Sequence, residues 1–182
     1  MRDKKILVLL LISGLLAAVT AALSLLRIPL PGTPVPITGQ SLGPMLSGII
    51  LGRKYGALSQ IVYLLLGAVG LPVFAGGRGG PGVLFGPSGG YLWGFVLGAW
   101  VTGYLFEKLQ PTSFMGAFCC TVIGGILVVY CLGIIQLCIV AKLSLKAALL
   151  AGALPFIPGD LFKAAVAAVS ASRIVGVTKR LT

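Results

Sequence analysis

Asp160 and Lys163 are the residues of this chain whose types and spacing could do chemistry. They lie three positions apart in an apolar segment, Pro158-Gly159-Asp160-Leu161-Phe162-Lys163-Ala164-Ala165, so in a helix they would share one face. Asp160 is the only acidic residue within an apolar segment. An ionisable side chain at membrane depth is costly unless it is paired or lines a cavity, so it marks a candidate site. We therefore expect a ligand to bind at this pair.

Two structural interpretations compete with a binding role. Asp160 follows Pro158-Gly159, which predicts a position near a helix N-terminus, where free backbone N–H groups and the helix dipole favour a carboxylate. It could therefore be a simple helix cap. Alternatively, Asp160 and Lys163 form a structural ion pair that has no ligand. A cap alone would leave the Lys163 ammonium without a partner one turn deeper in an apolar helix.

The composition predicts an integral membrane protein. Of the 182 residues, 58% are hydrophobic and 9% are charged, which is far from the balance of a water-soluble domain. At about 20 apolar residues per crossing, the chain can hold about six spans, so residues 1–182 are interpreted as a single integral membrane domain. The predicted fold is all-α, with spans at Ile6–Leu26, Ser41–Leu51, Tyr55–Leu71, Tyr91–Phe106, Phe114–Ala141 and Gly159–Val177, and a short helix or re-entrant segment at Leu145–Leu154.

The distribution of basic residues predicts the orientation. A cytoplasmic N-terminus places nine of them inside and four outside, as the positive-inside rule favours. The inner residues are Arg2, Lys4, Lys5, Arg53, Lys54, Lys108, Arg173, Lys179 and Arg180, and the outer residues are Arg27, Arg78, Lys142 and Lys146. Both termini are thus predicted to be cytoplasmic. The net charge of +11 reflects this topology and attraction to the bilayer's anionic inner leaflet. No nucleic-acid partner is expected, because the basic residues form no continuous patch.

Two segments on the predicted outer side are rich in glycine and proline. Residues 29–40 contain four prolines, which prevent a helix and favour an extended path that brings Thr38 and Gln40 to the mouth of the bundle. Residues 70–90 form an extended extracellular loop whose glycines permit tight turns. Such a loop is usually a lid or a binding element, and a mobile solvent loop is the alternative. Three aromatic residues favour a packed lid over an apolar ligand: Phe74, Phe85 and Tyr91.

Enzyme motifs are weak in this sequence. Gly77-Arg78-Gly79-Gly80-Pro81-Gly82 fits a dinucleotide-binding pattern, but no βαβ unit surrounds it. Gly86-Pro87-Ser88-Gly89-Gly90 fits a nucleophile elbow, yet the chain has no histidine to serve as its base. The cysteines lack Cys-x-x-Cys spacing and are interpreted as small core residues rather than redox or metal ligands; they are Cys119, Cys120, Cys131 and Cys138. We expect no enzyme activity, bound metal or cofactor.

Four segments together resemble the BioY family, the biotin-binding S components of energy-coupling factor (ECF) vitamin transporters. They occur in the family's order and extend over nearly the whole chain. The segments are Pro34-Val35-Pro36-Ile37-Thr38-Gly39-Gln40, Gly70-Leu71-Pro72-Val73-Phe74-Ala75-Gly76-Gly77, Gly86-Pro87-Ser88-Gly89-Gly90-Tyr91-Leu92-Trp93-Gly94-Phe95 and Pro158-Gly159-Asp160-Leu161-Phe162-Lys163. The resemblance implies a six-helix protein of a prokaryotic cell membrane, with a pocket near its extracellular side.

The resemblance implies that Asp160 and Lys163 bind the polar groups of biotin. The ureido ring of biotin offers two N–H donors and one carbonyl acceptor, which a carboxylate beside an ammonium complements. Arg78 is the candidate partner of the valerate carboxylate. The other predicted substrate-binding residues are Thr38 and Gln40 at the mouth of the pocket and Phe74 and Tyr91 on its apolar walls.

The resemblance also implies a transmembrane coupling protein and two cytoplasmic ATPase subunits as partners. The chain itself has no P-loop sequence, so it would depend on them for ATP. In the family a stripe of small residues on the first helix faces the coupling protein, although such a stripe can also serve internal packing. The corresponding residues are Ala17, Ala18, Ala21 and Ala22. Two other functions stay open: a solitary biotin facilitator, and an S component for another vitamin.

Overall fold

The computed structural model describes the backbone of residues 2–31 and 33–181, and the side chains of residues 3–31 and 33–171. Most of the described chain is helical. The helices are α1 (Arg2–Leu23), α2 (Leu42–Ala68), α3 (Pro81–Leu84), α4 (Gly89–Leu109), α5 (Phe114–Val122), α6 (Val129–Ala141), α7 (Leu145–Gly152) and α8 (Ile157–Leu181), and a π-helical segment, Ile123–Val128, joins α5 to α6. Two short antiparallel strands, β1 (Arg27–Ile28) and β2 (Ile37–Thr38), pair between α1 and α2.

Three helical stretches have the length and hydropathy of a membrane span: Asp3–Leu23, Phe114–Ala141 and Leu42–Ala68, the last of which is broken at Gly52. The pair Leu145–Gly152 and Ile157–Ala171, bent by 56°, is a fourth candidate if it counts as one broken span. These helices confirm the prediction of an all-α membrane protein. A short helix is also found where the sequence predicted one, at α7.

Helix α2 contains a sharp break at Gly52. Its φ of 71° and ψ of −175° define a backbone conformation that is nearly restricted to glycine. The Ser47 and Ser59 hydroxyls, 12 residues apart in the chain, lie 3.4 Å from each other, whereas a straight helix would separate them by about 18 Å. Residues 42–51 and 53–68 therefore fold back on each other as a helical hairpin. The two apolar segments expected on either side of Arg53-Lys54 correspond to its arms.

Glycines let α4 pack closely against the π-helical segment and α6. A Cβ atom at Gly94 would lie 2.8 Å from the Val129 Cα atom, and one at Gly98 would lie 2.6 Å from the Gly124 carbonyl oxygen. Both distances are shorter than real Cβ contacts, so side chains at these positions would push the helices apart. This stripe of small residues thus serves internal packing.

The small residues of α1 divide between two faces. Ala17 is fully buried, and Ala21 is half-buried against the same core cluster. Ala18 and Ala22 are exposed, and Gly14 on the same outer face has no neighbouring heavy atom that a Cβ would meet within 4 Å. The predicted docking stripe needs correction at Ala17 and Ala21, because residues that pack inside the bundle cannot also present an outer surface.

The cysteines also differ from the sequence interpretation. Cys120 is buried and Cys138 is half-buried, but Cys119 and Cys131 are exposed. The expectation that all four are core residues is therefore wrong for two of them. An apolar helix that faces lipid can carry small residues on either side, so hydrophobicity alone does not distinguish its inner face from its outer face.

Candidate functional site

A cavity of about 620 Å³, including its open mouth, lies beside the first turn of α8 and the Gly/Pro-rich segments. All seven residues predicted to bind substrate line it: Thr38, Gln40, Phe74, Arg78, Tyr91, Asp160 and Lys163. The structure brings these residues together from four separate parts of the chain, and their role in binding stays a prediction.

A buried ionic corner occupies one end of the cavity. Lys163 Nζ lies 2.5 Å from Asp160 Oδ1 and donates hydrogen bonds of 2.7 Å to the Thr38 carbonyl oxygen and to Ser41 Oγ. The Ser41 hydroxyl donates to Asp160 Oδ1 at 2.7 Å, and the Tyr130 hydroxyl donates to Oδ2. Asp160 is 5% exposed. The corner therefore holds two opposite charges in a fixed arrangement, largely out of solvent.

The contacts of Asp160 decide between the structural alternatives. Asp160 is in the first turn of α8, as its sequence context predicted. Its carboxylate accepts hydrogen bonds from side chains of Ser41, Lys163 and Tyr130 rather than from the free backbone amides of that turn. The simple helix-cap interpretation is therefore wrong. The pair is structural in the sense that it connects α8 to other helices. It also faces the cavity, where Asp160 Oδ2 can accept a further hydrogen bond from a ligand.

Gln40 is held in the cavity wall by a second polar chain. Its Nε2 donates to the Tyr63 hydroxyl, and that hydroxyl donates to the Val73 carbonyl oxygen at 3.1 Å. Thr38 Oγ1 donates to Gln40 Oε1 at 3.2 Å. The Pro-rich segment is thereby connected to α2 and to the loop that follows α2, which fixes the direction of the Gln40 amide before any ligand arrives.

Aromatic side chains form the apolar wall. Phe74 is fully buried and packs edge-on against Tyr63, with ring centroids 5.5 Å apart. Tyr91 donates from its hydroxyl to the Gly152 carbonyl oxygen at 2.7 Å and packs edge-on against Tyr130. Phe85 is 70% exposed and does not line the cavity, so the expectation that it helps to cover a ligand is wrong.

The loop after α2 folds into a tight hairpin at the cavity mouth. Phe74 and Arg78 exchange backbone hydrogen bonds of 2.9 and 3.2 Å, and Gly76 and Gly77 have φ values of 78° and 68°, which glycine adopts without strain. Arg78 Nε donates to the Ala75 carbonyl oxygen at 3.1 Å. The Gly80 amide donates to the Gly67 carbonyl oxygen at 2.7 Å, so the loop is anchored on α2 and is a packed element. Arg78 is exposed at the mouth.

Sequence reasoning missed several residues of this cavity. Ser41 and Tyr130 contact the ionic corner directly, and Tyr63 orients Gln40. The remaining wall is mostly apolar and includes Val35, Leu92, Phe95, Val129 and Phe156. A tyrosine hydroxyl within an apolar span needs a hydrogen-bond partner, which was a usable signal for Tyr63 and Tyr130. The apolar wall residues carry no comparable signal.

The fold and this site define an α-helical membrane protein with a cavity near one end of its helical bundle. Residues 2–180 match the BioY family, and the chain belongs to that family. A relative from Rhizobium etli named biotin transporter BioY is 46% identical over 170 residues, covering 88% of this chain and 89% of the relative. A Thermotoga maritima protein of the same name is 43% identical over 147 residues, covering 81% and 85%.

A solved structure agrees with the family assignment. The crystal structure of the S-component for biotin from an ECF-type ABC transporter matches this chain with a TM-score of 0.90 and 33% identity, covering 97% of this chain and 95% of the other. The predicted resemblance to BioY is confirmed. So is the expectation that the chain is not an enzyme, since its relatives are named as transporters.

Proposed function

We propose that this protein is the membrane-embedded biotin-binding subunit of an ECF-type vitamin transporter. The observation that carries the proposal is the buried Asp160–Lys163 corner at one end of a mostly apolar cavity. Biotin has the matching distribution of groups: a polar ureido ring at one end, an apolar thioether ring and aliphatic chain, and a carboxylate at the other end. Relatives that are 46% and 43% identical to this chain over the aligned residues are named biotin transporters.

In this proposal the ionic corner binds the ureido ring. Asp160 Oδ2 accepts an N–H of the ring beside the Tyr130 hydroxyl. Lys163 exchanges its contact with Ser41 for the ureido carbonyl oxygen and keeps its contacts with Asp160 and the Thr38 carbonyl oxygen. Charge-assisted hydrogen bonds of this kind are about twice as strong as neutral ones, and burial strengthens them further.

Identification of the copurifying ligand tests the proposal. The protein is purified from cells grown with a mixture of vitamins, denatured, and the released small molecules are measured by mass spectrometry. We expect biotin in near-equimolar amount to protein. A different vitamin in that amount would overturn the biotin assignment and favour an S component of other specificity.

Arg78 is the proposed partner of the biotin carboxylate, because it is the cation at the cavity mouth that has no carboxylate partner among the described side chains. Arg78→Gln is expected to weaken binding of biotin by about tenfold, as loss of a partially exposed charged contact does, and to leave binding of uncharged biotin amide almost unchanged. Calorimetry with both ligands measures the difference. Equal losses for biotin and its amide would show that Arg78 acts on the loop rather than on the carboxylate.

We propose six membrane crossings in one domain of 182 residues in the plasma membrane. The crossings are α1, residues 42–51, residues 53–68, α4, residues 114–141, and α7 together with α8. Both termini are then cytoplasmic and the cavity opens outward. In support, Lys108 lies about 25 Å along α4 from Tyr91 at the cavity, and Arg53 pairs with the neighbouring Glu107. An Arg78→Cys variant without native cysteines should react with an impermeant maleimide on intact cells; reaction only after lysis would reverse the topology.

We further propose that a transmembrane coupling protein and two ATPase subunits energise uptake, and that the coupling protein contacts the outer face of α1. The exposed small residues on this face, Gly14, Ala18 and Ala22, leave room for close approach of another helix. This surface differs from the four-alanine stripe expected from the sequence, because Ala17 and Ala21 pack inward.

Bulky residues on the outer face of α1 should separate docking from binding. Ala18→Trp with Ala22→Trp is expected to abolish copurification of the coupling protein and vesicle uptake, while biotin affinity changes less than about twofold, because these side chains lie outside the cavity. The control adds the same bulk at exposed positions of another span, with Leu127→Trp and Ile135→Trp. Normal uptake by the α1 variant would place the docking surface elsewhere.

A further inference from the structure

A cationic and aromatic cluster lies at the end of α4 opposite the cavity. Trp100 and Tyr104 stack with ring centroids 5.5 Å apart and planes 1° from parallel. Lys108 Nζ lies 5.8 Å from the centroid of the Tyr104 ring, and Arg53 Cζ lies 5.9 Å from it. Trp100, Tyr104 and Lys108 follow one another at four-residue spacing, so they share one face of α4.

The carboxylate in this cluster is already engaged. Glu107 Oε1 accepts the Arg53 backbone N–H at 2.9 Å, and Oε2 lies 3.1 Å from Arg53 Nε. Glu107 thus caps the helix that begins after the Gly52 break and holds one edge of the Arg53 guanidinium. For the side chains described, no carboxylate lies within ion-pair distance of Lys54 or Lys108, and the Nη groups of Arg53 have no acceptor. The cluster therefore keeps an excess of positive charge.

In the proposed topology, this charge lies at the level of the lipid headgroups. The rest of α4, from Gly89 to Phe106, contains no charged residue, so the cations lie directly at the end of an apolar span. Trp100 is 41% exposed and stacks on Tyr104, whose ring contacts the cations. Tryptophan and tyrosine are enriched at membrane interfaces. A cation that rests on an aromatic face and lacks a carboxylate partner is well suited to an incoming phosphate.

We propose that Arg53, Lys54 and Lys108 bind the phosphate headgroup of an anionic glycerophospholipid, with Trp100 and Tyr104 packing against its glycerol and upper acyl region. Basic pockets between membrane helices bind such headgroups. This site shares no residue with the lining of the cavity. It would fix the depth and tilt of α4, whose other end forms the cavity wall at Tyr91, and so connect ligand capture to lipid composition.

Fluorescence quenching by brominated lipids tests this site. The chain has two tryptophans, Trp93 and Trp100, so a Trp93→Phe parent reports on Trp100 alone. We expect half-maximal quenching at an about fivefold lower mole fraction of brominated phosphatidylglycerol than of brominated phosphatidylcholine. Adding Lys54→Gln and Lys108→Gln should make the half-maximal mole fractions of the two brominated lipids nearly equal.

The matched control removes two charges near the N-terminus of α1, with Lys4→Gln and Lys5→Gln in the same parent, and should retain the fivefold preference. Equal quenching by the two lipids in the parent would overturn the proposal. A preference that falls equally in both double variants would also overturn it, because general surface charge would then account for lipid enrichment. The thermal unfolding temperature in a single detergent, measured on each variant, verifies that the fold is intact.

Discussion

Asp160→Asn and Lys163→Ala are each expected to abolish high-affinity biotin binding while the protein still inserts and purifies. Each change removes one partner of a desolvated polar set and leaves the others unpaired, which costs about 2–5 kcal/mol, or roughly 30-fold to several thousandfold in affinity. Asp160 contacts Ser41, Lys163 and Tyr130, so all three partners are affected. Titration of labelled biotin into each purified variant measures the loss.

Two further variants separate binding from folding. Asp160→Asn with Lys163→Met removes both charges together and should unfold at a higher temperature than Asp160→Asn alone, because it leaves no buried ammonium without a carboxylate; it should still not bind biotin. Glu107→Gln breaks the exposed Arg53–Glu107 pair at the opposite end of the bundle and should retain wild-type affinity. Near wild-type affinity in both single variants of the ionic corner would refute the site assignment.

Gly67→Ala is expected to weaken biotin binding by about tenfold through steric pressure on the apolar wall. A Cβ atom at Gly67 would overlap the ring of Phe74, which is fully buried between α2 and the cavity. Overpacking of this kind costs about 1–3 kcal/mol and displaces the offending ring. Phe74 lines the cavity and packs against Tyr63, whose hydroxyl orients Gln40, so displacement of the ring disturbs the binding wall. Biotin affinity and thermal stability of the purified variant measure the effect.

A second-site change should reverse this loss. Gly67→Ala combined with Phe74→Leu supplies room for the added methyl group and is expected to recover most of the affinity lost by Gly67→Ala. The matched control is Gly82→Ala, since Gly82 belongs to the same loop region but has no heavy atom within 4 Å of an added Cβ. If Gly67→Ala binds biotin as tightly as the wild type, the Phe74 ring does not define the cavity wall.

Local sequence determined the membrane class and the composition of the candidate site. Composition alone predicted an all-α membrane protein, because the backbone in a bilayer must satisfy its hydrogen bonds internally. The three-residue spacing of Asp160 and Lys163 placed them on one helix face, since neighbours on a helix follow from its pitch. Glycines and prolines predicted the turns beside the cavity, and the order of four motifs indicated the family.

Tertiary structure decided which parts of the chain meet and which faces point inward. Ser41 lies 119 residues from Asp160, and Tyr130 lies 30 residues from it, so no local spacing could have predicted these contacts. Local sequence also did not determine that the α1 stripe divides into buried Ala17 and exposed Ala18. Nor did it determine that the Phe85 side chain is exposed. In a membrane, lipid is as apolar as the protein core, so hydrophobicity does not distinguish a packed face from a lipid-facing one; only the three-dimensional arrangement of the helices does.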